Sequence, residues 1–331
     1  MTQTLSFWTA LAYALTFFSV FQSAGAQAVI AAPALYPETI VSDATGKQLL
    51  AGSVREGAVY QLSLDGSAKK LIDDTRLISV LGIALDPARS RVLVTSSDLG
   101  IGSKRSAQGP KRHAALGIYD RKSGRALQFV DLSALAPNGN HLLNGITIDP
   151  RGNAYVTDSL SPVIYKVTPE GHASVFLEHG EFSGEGINLN GIVYHPAGFL
   201  LVIKKSSGAL YRIPANDPAR FTRVHITEDL RGGDGLLLAE DKLWLIANKI
   251  PAYANNAAHL LQSSDGWTSA SVQRREPLGE SYPTTAAAMG GKIVVLSTQL
   301  DELLGSSDAQ RASLIARGRR GELRLLTRTP E

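Results

Sequence analysis

The stretch LNGITIDPRGNAYVTDS at residues 143–159 recurs in altered form as LNGIVYHPAGFLLVIKKSSGALYRI at residues 189–213. Each copy opens on an apolar residue and Asn-Gly, runs on as a strand, turns at Pro and Gly, and returns as a second apolar run. Shorter versions of this opening lie at residues 37–40, 81–83, 234–236 and 284–286. The spacing is close to the roughly 40–50 residues of a four-stranded propeller blade. We therefore predict an all-β fold, a six-bladed β-propeller.

One position of this repeat carries an oxygen-bearing side chain in most copies. The residue before the Gly, or its equivalent, is Glu38, Asn144, Asn190 and Asp234 in four of them. Equivalent positions in a ring of blades face one axis, where two buried carboxylates without a cation would repel each other. Carboxylate and amide oxygens suit Ca²⁺. The pattern predicts that these four residues bind Ca²⁺ or another divalent cation. The alternative is that each Asn-Gly or Asp-Gly is an ordinary turn.

Four further polar residues are weaker candidates for contacts with a substrate. They are His141, three residues before Asn144, and Asp158, Lys205 and Asn248, which lie at the ends of predicted second strands. In that position they would face the same end of the axis. The alternative for His141 is a loop histidine with its hydrogen bonds satisfied. The alternatives for the other three are a turn cap for Asp158 and solvated rim positions for Lys205 and Asn248.

Two segments lengthen the repeat, and the chain ends must close the ring. Residues 99–112 and 251–267 are predicted insertions after second strands, either lids over the axis or surface excursions. The closing strand is predicted to pair residues 313–316 or 322–327 with residues 28–34.

The N-terminal segment and the composition set the expected compartment. Residues 6–22 are uncharged and mostly apolar, and small residues follow them. We expect residues 1–28 to be a cleaved signal peptide, residues 29–331 to form a single propeller domain, and the protein to be periplasmic or secreted. A retained membrane anchor is the alternative; no other membrane contact is expected.

Composition and absent motifs exclude several function classes. A net charge of +3 does not indicate nucleic-acid binding, and the lack of cysteine excludes disulfides, thiolate metal sites and a Cys nucleophile. The chain has no G-x-S-x-G, H-E-x-x-H, P-loop or dinucleotide-binding motif. These absences leave the serine hydrolase, zinc protease and nucleotide-binding classes without support.

The stretches PETIVSD, GGDGLLL and the two quoted above resemble the calcium-dependent six-bladed propellers that include gluconolactonase and regucalcin, with paraoxonase and diisopropylfluorophosphatase as more distant relatives. The resemblance covers residues 36–305. It implies Glu38, Asn144, Asn190 and Asp234 as Ca²⁺ ligands and Asp234 as the base or nucleophile. Glu38 is followed by Thr39, where the family usually has Gly.

Two functions follow as hypotheses. The first is a metal-dependent hydrolase of a lactone or related ester, in which Ca²⁺ polarises the carbonyl and Asp234 attacks or activates water. The second is a non-catalytic binding module, with the ion as a structural element on the axis. A small-molecule lactone or ester is the expected partner in the first case.

Overall fold

The computed structural model describes residues 27–29, 35–43, 46, 48–63, 65–250, 253, 255–317 and 321–326. Within these residues, 24 strands form six antiparallel sheets of four strands each. The innermost strands of neighbouring sheets contact one another all the way round. The six-bladed β-propeller predicted from the repeat is therefore confirmed.

Blades 1 to 3 each use four consecutive strands, counted from the axis outwards. Strand β1 (Gln27–Val29) precedes them in the chain and belongs to the last blade. Blade 1 contains β2 (Pro37–Ser42), β3 (Leu49–Ser53), β4 (Ala58–Leu62) and β5 (Ala68–Ile72). Blade 2 contains β6 (Ser79–Asp86), β7 (Arg91–Ser97), β8 (Ala114–Asp120) and β9 (Ala126–Asp131). Blade 3 contains β10 (Leu143–Ile148), β11 (Ala154–Asp158), β12 (Val163–Val167) and β13 (Ala173–Glu178).

Blades 4 and 5 follow the same plan, and blade 6 joins the two ends of the chain. Blade 4 contains β14 (Leu189–His195), β15 (Phe199–Lys204), β16 (Ala209–Pro214) and β17 (Thr222–Arg223). Blade 5 contains β18 (Gly233–Ala239), β19 (Lys242–Ala247), β20 (Ala257–Gln262) and β21 (Ser271–Pro277). Blade 6 contains β22 (Tyr282–Met289), β23 (Lys292–Thr298), β24 (Glu322–Leu326) and β1. Short 3₁₀ turns lie at Pro87–Arg89, Ser133–Leu135, Gly180–Phe182 and Pro218–Arg220.

The closing strand uses one of the two predicted segments. Strand β24 pairs with β1, with Leu323 opposite Ala28. The other predicted segment, residues 313–316, is not a strand. It lies in helix α2 (Asp308–Ala316), which follows the short helix α1 (Leu300–Leu304). A capping box between Ser307 and Gln310 starts α2, and this Ser-x-x-Gln signal is present in the sequence.

The N-terminal prediction falls mostly on residues that the structure does not describe. The apolar segment at residues 6–22 lies outside the described residues, and the predicted boundary after residue 28 falls within β1. No helix in the described part of the chain is long and apolar enough to cross a membrane.

The two predicted insertions differ in structure. Residues 99–113 form a loop between β7 and β8, and the Asp98 carboxylate accepts hydrogen bonds from the backbone N–H groups of Gly100 and Ser106, each at 2.8 Å. The prediction for residues 251–267 is wrong over much of its length, because Ala257–Gln262 is the third strand of blade 5. The Ala-rich start of that strand concealed it in the sequence.

An apolar cluster covers the end of the axis at which the innermost strands begin. It contains residues that precede or begin these strands, one residue that follows β3, and residues of the loop after β7 and of helix α1; its members are Tyr36, Val54, Leu81, Ile101, Leu142, Tyr282, Leu300 and Leu303. Ile315 of α2 packs against it. We call this cluster the apolar cap. It closes that end of the axis with side chains instead of leaving an open mouth.

Candidate functional site

Every innermost strand carries a β-bulge at the repeat position that the sequence singles out. The register against the second strand shifts between the residues that flank this position in all six blades. A bulge leaves a residue unpaired and redirects its side chain. The redirected residues form one ring on the axis, which we call the axial ring: Glu38, Leu81, Asn144, Asn190, Asp234 and Thr284. All six are buried, with exposed fractions of 1–7%.

Threonines on the second strands fix the bulges in place. Thr157 Oγ accepts a hydrogen bond from Gly145 N at 3.0 Å and donates one to the carbonyl oxygen of Asn190 at 2.6 Å. Thr95 makes the same pair of contacts between blades 2 and 3. Gly145 is required for the close approach, because a Cβ there would lie 2.4 Å from the same carbonyl oxygen. Neighbouring blades are thus joined at the level of the axial ring.

The Asp234 carboxylate is bound by an ammonium group of this chain. Lys205 Nζ lies 2.9 Å from Asp234 Oδ2 and also donates to Asn248 Oδ1. Asn248 Nδ2 donates to the same oxygen of Asp234 and, at 2.9 Å, to the carbonyl oxygen of Pro283. Lys205 is buried, and its Nζ lies 5.5 Å from the centre of the Tyr282 ring. Asp234 therefore has a protein cation as its partner.

Burial and charge shift the pKa values of this group. Burial raises the pKa of Glu38 well above its usual value; the Asp234 charge raises it further and Lys205 partly offsets this. Burial alone would lower the pKa of Lys205, but Asp234 and other neighbours outweigh it, so that this pKa is raised. The directions favour a proton on both Glu38 and Lys205, which balances the charge of the buried group.

The axial ring offers oxygens that suit Ca²⁺, but the Lys205 ammonium already binds Asp234, one of the four expected ligands. Ca²⁺ bound by Asp234 would lie about 4 Å from the ammonium, a repulsion of about 8 kcal/mol at an effective dielectric constant of about 20. With Lys205 in this position, the residues do not fit a resident divalent cation.

A channel follows the axis away from the apolar cap. It has a volume of about 400 Å³ and begins at Glu38, Asn144, Asn190 and Thr284 of the axial ring. Its walls are mainly apolar side chains of the innermost strands, such as Ile40, Ile146 and Leu236, and it ends near Ser42, Pro87 and Ile148. These last residues are partly or fully exposed, so the channel opens at the end of the axis opposite the cap.

Two polar groups at the ring end of the channel are free to meet a ligand. Glu38 is the one acidic residue among those described as lining the channel. Thr284 Oγ is buried and finds no hydrogen-bond partner in the described part of the chain. Asn144 differs, because its Nδ2 donates to Ser159 Oγ at 3.2 Å and only its carbonyl oxygen stays available.

The four weaker candidates fall into two pairs. His141 Nδ1 lies 2.8 Å from Asp158 Oδ2, and both side chains are buried away from the channel. Asp158 Oδ1 also accepts hydrogen bonds from the backbone of residues 142, 160 and 161, so this pair fixes the chain before β10. Lys205 and Asn248 instead contact Asp234. Both directly follow a second strand, which is the sequence signal that placed them near the axis.

Solved structures with this architecture exist. Neither models of protein families nor characterised protein sequences give a match to the chain. The allergen Mala s 1 of Malassezia sympodialis superposes with a TM-score of 0.67 at 16% identity, covering 90% of this chain and 95% of the allergen. Regucalcin of Agrobacterium tumefaciens, a calcium-binding protein, gives 0.60 at 16% identity, covering 92% and 96%. A candidate gluconolactonase gives 0.59 at 14% identity, covering 94% and 96%.

These similarities establish the fold. The structure is similar to the regucalcin and gluconolactonase propellers, as the sequence motifs predicted. At 14–16% identity the likeness does not extend to a metal or a substrate.

Proposed function

We propose that the protein binds a small lactone or related ester in the axial channel and hydrolyses it at the axial ring. One observation carries this proposal: the channel joins apolar walls to a buried end with a carboxyl, two amides and a hydroxyl. A pocket of this kind takes a ligand with an apolar body and one polar reactive group. The substrate's carbonyl would lie at the ring and its aliphatic part in the channel.

Glu38 is the proposed acid–base group. The reacting state is its ionised form, which the raised pKa makes a stronger base: it would take a proton from the water that attacks the carbonyl carbon, and return it to the alkoxide that leaves when the C–O bond breaks. Thr284 O–H and the Asn190 amide would donate hydrogen bonds to the developing oxyanion, and the nearby Lys205 charge would stabilise it. Asp234, the base expected from the resemblance, already accepts two hydrogen bonds on one oxygen. We assign Asp234 to holding Lys205.

A panel of lactones and aryl esters with increasing aliphatic chain length tests this function. Turnover is expected in the presence of a chelator, and kcat/KM is expected to rise with chain length until the channel is full. Leu236→Phe, on the channel wall, should shift the best substrate to a shorter chain. Turnover that is indifferent to chain length and to Leu236→Phe would contradict the placement of the substrate.

A second candidate function is binding of the same molecules without turnover. The ion pair between Asp234 and Lys205 favours it, because this pair leaves one free carboxyl at the axial ring. Saturable binding of the panel, blocked by Leu236→Phe and without product, would support this function over hydrolysis.

We also propose export to the periplasm or the medium, as residues 6–28 predict. Because β1 begins at Gln27 and pairs with β24, cleavage after Ala26 would keep the closing strand whole. The exported chain is expected to begin at Gln27, which its intact mass tests; a mass that includes residues 1–26 would contradict cleavage.

A further inference from the structure

We propose that the Lys205 ammonium is a built-in replacement for a divalent cation on the propeller axis. Its removal should expose a latent Ca²⁺ site formed by oxygens of Glu38, Asn144, Asn190 and Asp234. The inference concerns cation binding and is independent of whether the axial ring hydrolyses a substrate.

The position of the ammonium is fixed by two blades. Lys205 follows β15 of blade 4, and two of its N–H groups are directed to Asp234 and Asn248 of blade 5. Asn248 in turn binds Asp234 and the carbonyl oxygen of Pro283 in blade 6. Its neighbour Lys204 differs, because Nζ of Lys204 donates to the backbone carbonyl oxygens of Glu181 and Ser183. The ammonium on the axis is thus held in one specific contact.

The charges of the buried group support the replacement. The Asp234 charge raises the pKa of Glu38, which shows that the two carboxyl groups interact at the axis, and both residues are almost fully buried. In the described residues, Lys205 is the one cationic side chain that forms an ion pair with either carboxylate. A buried carboxylate requires a paired charge or hydrogen-bond donors. Lys205 supplies both, and a bound Ca²⁺ would otherwise supply the positive charge.

The four oxygen-bearing residues remain grouped around the axis although Lys205 is present. A bulge places the backbone of each of the four, and threonine contacts hold the bulges at Asn144 and Asn190; none of these backbone contacts involves Lys205. Substitution of Lys205 by an apolar residue should therefore leave the ligand set in place. In that variant the four oxygen-bearing residues would lack a positive partner, and a set of oxygen ligands in this condition binds Ca²⁺.

Calcium titration of Lys205→Met, with Lys204→Met as the matched control, tests this inference. Isothermal calorimetry with CaCl₂ should detect no binding to the wild type or to Lys204→Met, and a Kd of about 10⁻⁴–10⁻³ M for Lys205→Met. In chelator the melting temperature of Lys205→Met should fall by about 5–10 °C, and 10 mM CaCl₂ should restore most of it. Lys205→Met/Asp234→Asn should lose the calcium response.

Three results would overturn the inference. The first is Ca²⁺ binding by the wild type that Asp234→Asn abolishes. The second is a folded Lys205→Met protein that binds Ca²⁺ no better than the wild type. The third is failure of both Lys205→Met and Lys205→Gln to fold in 10 mM CaCl₂, because the ion should then take the place of the ammonium.

Discussion

Glu38→Gln is expected to lower kcat by about 10²–10⁴-fold on the best ester of the panel, with a small change in KM. The substitution keeps the size and most hydrogen-bonding capacity of the side chain, but the amide cannot shuttle a proton. Glu38 is the one acidic residue described as lining the channel, so no neighbour there can take over. Steady-state kinetics of the purified variant, run in chelator, measures the effect.

Thr284→Val is the matched control for this effect. It removes a hydroxyl of the axial ring for which the described residues show no hydrogen-bond partner, and it leaves the Glu38 carboxyl intact. Loss of one oxyanion donor should cost about 10²-fold or more in kcat without changing the identity of the base. If Glu38→Gln keeps wild-type turnover, Glu38 is not the acid–base group and the proposed mechanism fails.

Asp234→Ala is expected to lower the free energy of unfolding by about 3–5 kcal/mol, because it leaves the buried Lys205 ammonium unpaired. Asp229→Ala is the control, because it makes the same substitution in an ion pair that is exposed. The Asp229–Arg231 pair is shorter, at 2.6 Å against 2.9 Å, but its side chains are about 40% exposed, against 4–5% for the axial pair. The control should cost less than about 1 kcal/mol. Urea unfolding of both variants measures the difference.

A double-mutant cycle separates the ion pair from simple loss of packing. Asp234→Asn/Lys205→Met removes both charges, so its cost should be clearly smaller than the sum of the two single substitutions. Additive costs would show that the two groups do not stabilise each other, and would contradict the pairing on which the account of the axis depends.

The repeat predicted the ring because equivalent positions in a closed set of blades must face one axis. Glu38, Asn144, Asn190 and Asp234 could therefore be placed together without knowledge of any contact. The bulge itself could not be predicted, because it depends on register against the second strand, which the apolar pattern leaves open. The role of Lys205 was missed for a similar reason. Its position in the repeat placed Lys205 near the axis. Which of the two adjacent residues, Lys204 or Lys205, points inward depends on where β15 ends.

The apolar cap was the other feature that the sequence did not reveal. Its members come from seven separate segments that are adjacent only after the ring closes. Helix α2 carried a capping box, yet its apolar residues were equally compatible with a short closing strand. Local patterns predicted the blades, whereas the closure of the axis depends on long-range packing.

A crystal structure determined in 10 mM CaCl₂ tests the central claim most directly, because it shows which cation lies beside Asp234. We predict Lys205 Nζ between Asp234 and Asn248, with no metal density on the axis. A Ca²⁺ ion bound by Glu38, Asn144, Asn190 and Asp234, with Lys205 displaced from Asp234, would contradict the account.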